Sequence, residues 1–504
     1  MDYYYDDDVE KKEKEFLETN ILPLPSKKEQ FVEAIVVMFP WLALLIPLYI
    51  FGISLWMAWI LPADVIIAFA LGTFIGLIIS EGLFQVFQGI FSFYYFQGNI
   101  YEAKRTMKRY LAFTGLITSI IILIFYSFSR VQNIPYELTT YTITGTLTIC
   151  FFRIFYMTIY SLKKYRIIIT SYSLSILTLL LVYFTLPDQM LPTFKYFTAF
   201  GIAFLLLFST SIYFNFTIFF KKFSFTLFLN RLFKIIYKIK SSKTDSKKEE
   251  TSLINFYYPP SSNVRQGLKS IFKVQLWENL YYLFYGTLYF VMLFGDRLLS
   301  WIYNPVTIEA SNGVILPMAF NTTYHIGADF ALLIMTPAGI IQYIIVYPLY
   351  QILNNKSVYI KISEIKTIDQ YLLKVYKKLI LVSIVVSVGV YIIMNIFGPM
   401  IIDFVVVDGN EVSVQIFQIA SIANVFFSIF IANSIFLAFL KDLKILVMMV
   451  ILSSGILLSM GPVLALYGFQ NIIWAYAISI IIPTILSTRF TLKILKNGST
   501  KIFG

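Results

Sequence analysis

The sequence predicts an all-α polytopic membrane protein, with about twelve transmembrane helices in two lobes of about six. Three observations carry this. Hydrophobic residues make up 58% of the 504 positions and charged residues only 13%, and the apolar residues collect into runs that reach the roughly 20 residues needed to cross a hydrocarbon core. Lys and Arg occupy alternate segments between those runs, as expected where basic loops stay on the cytosolic side. One long, basic, polar stretch divides the series into halves. The net charge of +12 is then explained by topology and attraction to anionic lipid, with no nucleic-acid partner required.

In chain order, residues 1–33 read as a cytosolic tail, with an acidic patch at Asp6, Asp7 and Asp8 followed by Lys11, Lys12 and Lys14. Charge runs of this kind are usually solvated. No cleavable signal peptide is expected, because about thirty charged and aromatic residues precede the first apolar run. The N-lobe covers 34–220, with apolar runs at 34–60, 65–96, 111–128, 138–160, 167–186 and 194–220. A basic cytosolic linker occupies 221–274. It mixes lysines with Ser241, Ser242, Ser246 and the pair Pro259-Pro260, and is too polar and interrupted to bury a core of its own. The C-lobe covers 275–488, with runs at 275–301, 324–353, 379–397, 414–440, 445–466 and 472–486, and 489–504 form a cytosolic tail. An even number of spans per lobe places the lobes in the same orientation, related by a pseudo-two-fold axis along the membrane normal.

Charge provides an independent check on this count. With a cytosolic N-terminus, the cytosolic segments hold Lys104, Arg105, Lys108 and Arg109, then Lys163, Lys164 and Arg166, the linker, the segment 356–378, Lys441 and Lys444, and the C-terminal tail. Of the 40 basic residues only Arg130, Arg153, Lys195 and Arg297 lie elsewhere. The opposite segments are short or acidic, with Asp64, Glu137, Asp188, Glu309, Asp403, Asp408 and Glu411. Both termini are therefore expected in the cytosol, and the chain in the cell membrane.

Charges inside such spans are costly and usually face a protein interior or a water-filled cavity. Entering from outside, Glu81 lies about 24 Å along its helix and Arg153 about 22 Å along its own, at roughly 1.5 Å per residue. Gln85 and Gln88 follow Glu81 at helical spacing and extend one polar stripe. Stripe and Arg153 are expected either to line a substrate cavity or simply to neutralise one another. In the C-lobe, Asp296 and Arg297 end one helix, and His325 and Asp329, four apart and so on one helix face, begin the next. These four are expected to meet near the external mouth, as a gate, a protonatable site or a static cap.

Chemistry of other kinds has little support. Cys150 is the single cysteine, so there is no intramolecular disulfide and no cysteine metal cluster. There is no phosphate loop of the Gly-x-x-x-x-Gly-Lys-Ser/Thr type, and no cofactor or enzymatic activity is expected. The sequon Asn321-Thr322-Thr323 is a short pattern that arises often by chance.

Six plus six spans with cytosolic ends and an internal basic linker resemble, in layout over most of the chain, the multidrug, oligosaccharidyl-lipid and polysaccharide (MOP) exporter superfamily. A narrower resemblance is to the membrane subunits of Pel-type exopolysaccharide exporters. It rests on Asp296-Arg297 followed by Leu298-Leu299-Ser300-Trp301, on Tyr324, Asp329 and Pro337, on Phe39-Pro40-Trp41-Leu42, and on Ser80-Glu81-Gly82-Leu83. Phe39 stands where that family has Gly, Glu81 where it has Asp, and Arg297 where it usually has Lys. The resemblance implies movement of a polysaccharide or lipid-linked saccharide to the external side by alternating access between the lobes, with a glycosyltransferase or synthase as a possible partner. An ion-coupled exporter of small amphipathic cations, favoured if Glu81 has no basic partner, and a scaffold subunit of a synthase remain as alternatives.

Overall fold

The computed structural model describes residues 47, 50–51, 61–96, 100–162, 165–219, 274, 276–310, 313–356, 365–405, 410–440 and 442–496. The N-terminal tail, nearly all of the predicted first span and most of the linker lie outside them, as do Phe39, Pro40, Trp41 and Leu42. The described residues are almost entirely helical: α1 Ala63–Phe96, α2 Ile100–Val131, α3 Tyr136–Ser161, α4 Tyr165–Thr185, α5 Pro192–Phe219, α6 Leu280–Ile302, α7 Thr322–Leu332, α8 Met335–Lys356, α9 Ile365–Val405, α10 Asn410–Phe439, α11 Leu443–Ala465 and α12 Ile472–Leu495. Ten stretches among the described residues are long and apolar enough to cross a membrane, α7 and α8 counting as one. This is a multi-pass membrane protein. Helix α6 stands in the place of the predicted seventh run and is set apart by its two adjacent charges, Asp296 and Arg297.

Several helices outrun their apolar cores. Helix α9 starts at Ile365, well before the predicted 379, because its basic first turns are amphipathic: Leu372, Tyr376 and Leu379 are buried while Lys377 and Lys378 are exposed. Long Lys and Arg side chains can extend their heads to water from such turns. Helix α12 likewise continues to Leu495, past Arg489. The predicted run at 324–353 is broken at Leu333 and Ile334. Pro337 has no N–H to offer the Leu333 carbonyl, and the chain closes the gap with shorter-range bonds, Ile334 N–H to Ala331 O and Thr336 N–H to Leu333 O.

Alternating loops divide the bundle into a basic end and an acidic end. Among the described residues, Lys104, Arg105, Lys108, Arg109, Arg166, Lys377, Lys378, Lys444 and Lys493 lie toward the first, and Asp64, Glu137, Asp188, Glu309 and Glu411 lie at the second. Between α6 and α7, an isolated bridge pairs Glu309 with Ile315, and Gly313 takes a positive φ of 78° that lets the chain reverse.

Small residues bring α1 and α3 together. A Cβ on Gly72 would collide with the Thr142 carbonyl and one on Gly76 would sit 2.9 Å from Ile149 Cβ, while Thr146 Oγ1 donates to Gly72 O at 3.0 Å. Close backbone approach of this sort stabilises helix pairs in lipid, where apolar contact alone gives little preference. The seam between the halves uses the same device. A Cβ on Gly286 of α6 would lie 2.8 Å from the Cα of Gly82 on α1. On its other flank α6 meets α11, where Leu457 packs over Gly295 and Leu299 over Gly461. Helices α2 and α9 are peripheral, with only 11% and 17% of their apolar windows buried, as suits lipid-facing spans.

Candidate functional site

A cavity of about 720 Å³ lies in the seam, lined by α1, α3, α4, α6 and α10. It occupies the half of the bundle nearer the basic end. Its floor is the α1 stripe, since Glu81, Gln85 and Gln88 all line it, and Arg153 of α3 lines it opposite. Arg153 Nη2 meets Glu81 Oε2 at 2.9 Å, Gln85 Nε2 donates to Glu81 Oε1 at 3.2 Å, and the guanidinium lies 5.4 Å from the centre of the Phe84 ring. Both charges keep part of their side chains accessible, 24% for Arg153 and 13% for Glu81, so the pair is neutralised without being sealed off. Around it stand Tyr156, Tyr160, Tyr172, Tyr282, Tyr285 and Tyr289. These rings give the cavity flat apolar faces edged with hydroxyls.

Toward the acidic end the seam is closed by side chains. Phe290 of α6 packs with Leu77 of α1 and Ile149 of α3, and Trp301 meets Phe74 edge-on with ring centres 6.4 Å apart. Leu316 and Phe320, from the segment after α6, belong to the same buried cluster as Phe69, Phe74 and Trp301.

Directly behind Trp301 lies the second charged group, inside the C-terminal half. Arg297 is 1% exposed. Its Nη1 donates to both oxygens of Asp296 at 2.9 and 3.0 Å and to Leu293 O at 3.0 Å, while Nε and Nη2 converge on Asp329 Oδ1 at 3.1 and 3.0 Å. Tyr324 donates its hydroxyl to Asp296 Oδ2 at 3.0 Å. The other Asp329 oxygen faces His325 Nδ1 at 3.0 Å, and Trp301 Nε1 lies 2.8 Å from His325 Nε2. An indole nitrogen can only donate, so Nε2 must accept and His325 must be neutral, its proton on Nδ1 and directed at Asp329. The group holds two carboxylates and one guanidinium, and its hydrogen bonds run unbroken from Asp296 to the aromatic closure.

All eight residues singled out from the sequence thus fall into two clusters. Glu81, Gln85, Gln88 and Arg153 share the cavity; Asp296, Arg297, His325 and Asp329 share the network. They are not one site. The sequon residue Asn321 has a structural task, capping α7 by accepting from Tyr324 N–H at 2.9 Å, and it is buried.

No protein-family model matches the chain, and no curated protein matches it. Solved structures do. A MOP superfamily transporter from Pyrococcus furiosus, described as having a binding pocket of reversed polarity, is similar with a TM-score of 0.59 and 12% identity over 94% of this chain and 97% of its own. A MATE in complex with MaL6 is similar with a TM-score of 0.58 and 13% identity, over 94% of this chain and 98% of its own. An outward-facing multidrug-resistance MATE of the MOP superfamily gives a TM-score of 0.57 and 11% identity, over 94% of this chain and 97% of its own. The fold is that of the MOP and MATE transporters.

Within this fold the tyrosines are the residues that polarity-based reading passes over. Tyr282, Tyr285 and Tyr289 recur at intervals of three and four, as do Arg153, Tyr156 and Tyr160, so each set forms one helix face. That periodicity is visible in the chain, but tyrosine is also common at membrane interfaces, which hides its use here.

Proposed function

We propose that this protein moves a saccharide, as a polysaccharide or a lipid-linked oligosaccharide, from the cytosolic to the external side of the cell membrane by alternating access between its two halves. The observation that carries the reading is the 2.9 Å pair between Glu81 and Arg153 inside a tyrosine-lined cavity. A lone carboxylate among aromatic rings attracts an amphipathic cation. A paired one presents donors and acceptors without net charge, and with aromatic faces beside it suits a substrate rich in hydroxyls. With the basic end cytosolic, the cavity lies on the side from which an exported sugar enters, and the aromatic closure lies on the external side. A glycosyltransferase or synthase is the natural partner for such a substrate. Residues 34–220 and 275–488 are the lobes on this reading, and the Pel-type motifs Asp296-Arg297 and Ser80-Glu81 fall at the gate and the cavity.

The competing reading, a multidrug exporter, draws support from the multidrug-resistance MATE among the similar structures. Reconstituted vesicles separate the two. A fluorescent lipid-linked saccharide is expected to cross, with Arg153→Ala lowering its rate at least about tenfold, the equivalent of about 1.4 kcal/mol. A lipophilic dye cation is expected to stay behind. Dye transport by the native protein, with no movement of the saccharide, overturns the proposal.

A further inference from the structure

We propose that His325 is a proton-operated latch on the external closure: neutral, it holds Trp301 against Phe74, and protonated, it lets go. The inference rests on the alternating-access reading above. It comes from the place of Trp301 at the join of two systems. The indole ring belongs to the buried cluster of the N-terminal half, against Phe74, while its N–H is held by the network of the C-terminal half through His325 Nε2. The imidazole is stacked on Phe320, with ring centres 4.4 Å apart, and lies edge to edge with Trp301, nearly coplanar with the indole that donates to it. It therefore cannot turn without disturbing the rings that form the closure.

In this arrangement neither imidazole nitrogen is free. Nδ1 gives its hydrogen to Asp329 and Nε2 accepts from the indole, so the closed form has no position for a second proton. A proton arriving at Nε2 would set two N–H groups head to head at 2.8 Å. The bond to Trp301 is then lost, while the contact with Asp329 becomes an ion pair at 3.0 Å. A ligand that only one of two forms can accommodate shifts the population toward that form. Acid outside therefore favours release of Trp301 and opening of the external side.

The surrounding charges support this direction. On its own helix His325 faces Asp329, and through the network it senses Tyr324, Asp296 and Arg297; Arg297 also lies 5.8 Å from the centre of the Tyr476 ring of α12. Helix α10 meets α7 at Gly327 through Ser413 and Ile416, which carry no charge. Two carboxylates against one guanidinium leave the group one negative charge in surplus, and an imidazolium balances it.

The test is a distance measurement on the full chain in liposomes. Spin labels go on Val131→Cys and Leu466→Cys, at the acidic ends of the two halves and 77% and 79% exposed, in a Cys150→Ser background. Between about pH 7.5 and about pH 5.5, the fraction with widely separated labels is expected to grow about threefold. In His325→Gln, whose amide oxygen can accept from the indole but gains no proton in this range, the fraction should stay low and constant. In Trp301→Phe it should be raised at both pH values and no longer respond. Equal growth in His325→Gln and the native sequence, no growth in the native sequence, or an undiminished response in Trp301→Phe each overturns the latch. If one variant does not fold, judged by size-exclusion profile, the other decides. The readout needs no substrate, so failure of saccharide transport leaves it intact.

Discussion

Arg297 is the side chain with most to lose at the scale of single residues, because it is fully buried and holds two carboxylates at once. Arg297→Met removes the cation and leaves Asp296 and Asp329 facing one another, a loss of the kind that costs about 3–5 kcal/mol. A clear drop in melting temperature in detergent is expected, with partial recovery in the double variant Arg297→Met, Asp329→Asn. No drop would show that the network contributes little to stability. The remaining basic residues outside the basic end are partnered too. Arg130 donates to the Tyr126 hydroxyl at 3.1 Å, Arg153 pairs with Glu81, and Lys195 pairs with Asp188 at 2.9 Å. The Lys195 hydrogen bond holds the exposed Asp188 carboxyl below its usual range, so this pair should persist through mild acid and fail only as the pH falls beneath ordinary carboxylate values. Each of these four departures from the charge pattern therefore has a local partner.

Among the elements, α6 is the one that joins the two halves. It touches α1 across the seam through Gly286, α11 through Gly295, and it ends in the charge network and Trp301. Gly286→Val would insert a branched side chain where a single Cβ already falls 2.8 Å from Gly82. Overpacking of this kind typically costs about 1–3 kcal/mol, and in the seam it should force the halves apart, seen as faster thiol labelling of a cysteine placed at Ser92 on the cavity wall. Unchanged labelling would mean that the seam absorbs the wedge. Much at this scale was legible beforehand. Apolar runs and loop charge located the helices, and the spacing of His325 and Asp329 placed both on the face that Arg297 meets. What stayed hidden was of two kinds. The amphipathic start of α9 fails a hydropathy reading, because Lys377 and Lys378 cancel the buried Leu372 and Tyr376. The Gly82–Gly286 crossing depends on which helices become neighbours, and no local signal in α1 or α6 names the other.

For the whole molecule, the sequence set a polar stripe in the N-lobe apart from a charged group near the external mouth, and the structure places an aromatic closure between an open, charge-neutral cavity and a buried network. That separation has a mechanical meaning. If the seam at the acidic end must open for substrate to leave, a tie across it should stop transport without disturbing the cavity. Leu71 of α1 and Met318 of the segment between α6 and α7 line one small pocket at that end and pack on the same cluster. In a Cys150→Ser background, Leu71→Cys with Met318→Cys, joined by a short cleavable cross-linker, should abolish saccharide movement in vesicles, and cleavage of the linker should restore it. A matching pair across the cavity, Gln88→Cys with Asn279→Cys, should arrest the cycle as well, but from the opposite side, trapping the protein closed toward the basic end. The two arrests are distinguishable because only the first leaves the cavity open to a water-soluble thiol reagent applied at the basic face, read out at a third cysteine placed at Ser92. Continued transport with the Leu71–Met318 tie intact would show that substrate leaves by a path other than this seam, and would remove the mechanical role assigned to the aromatic closure.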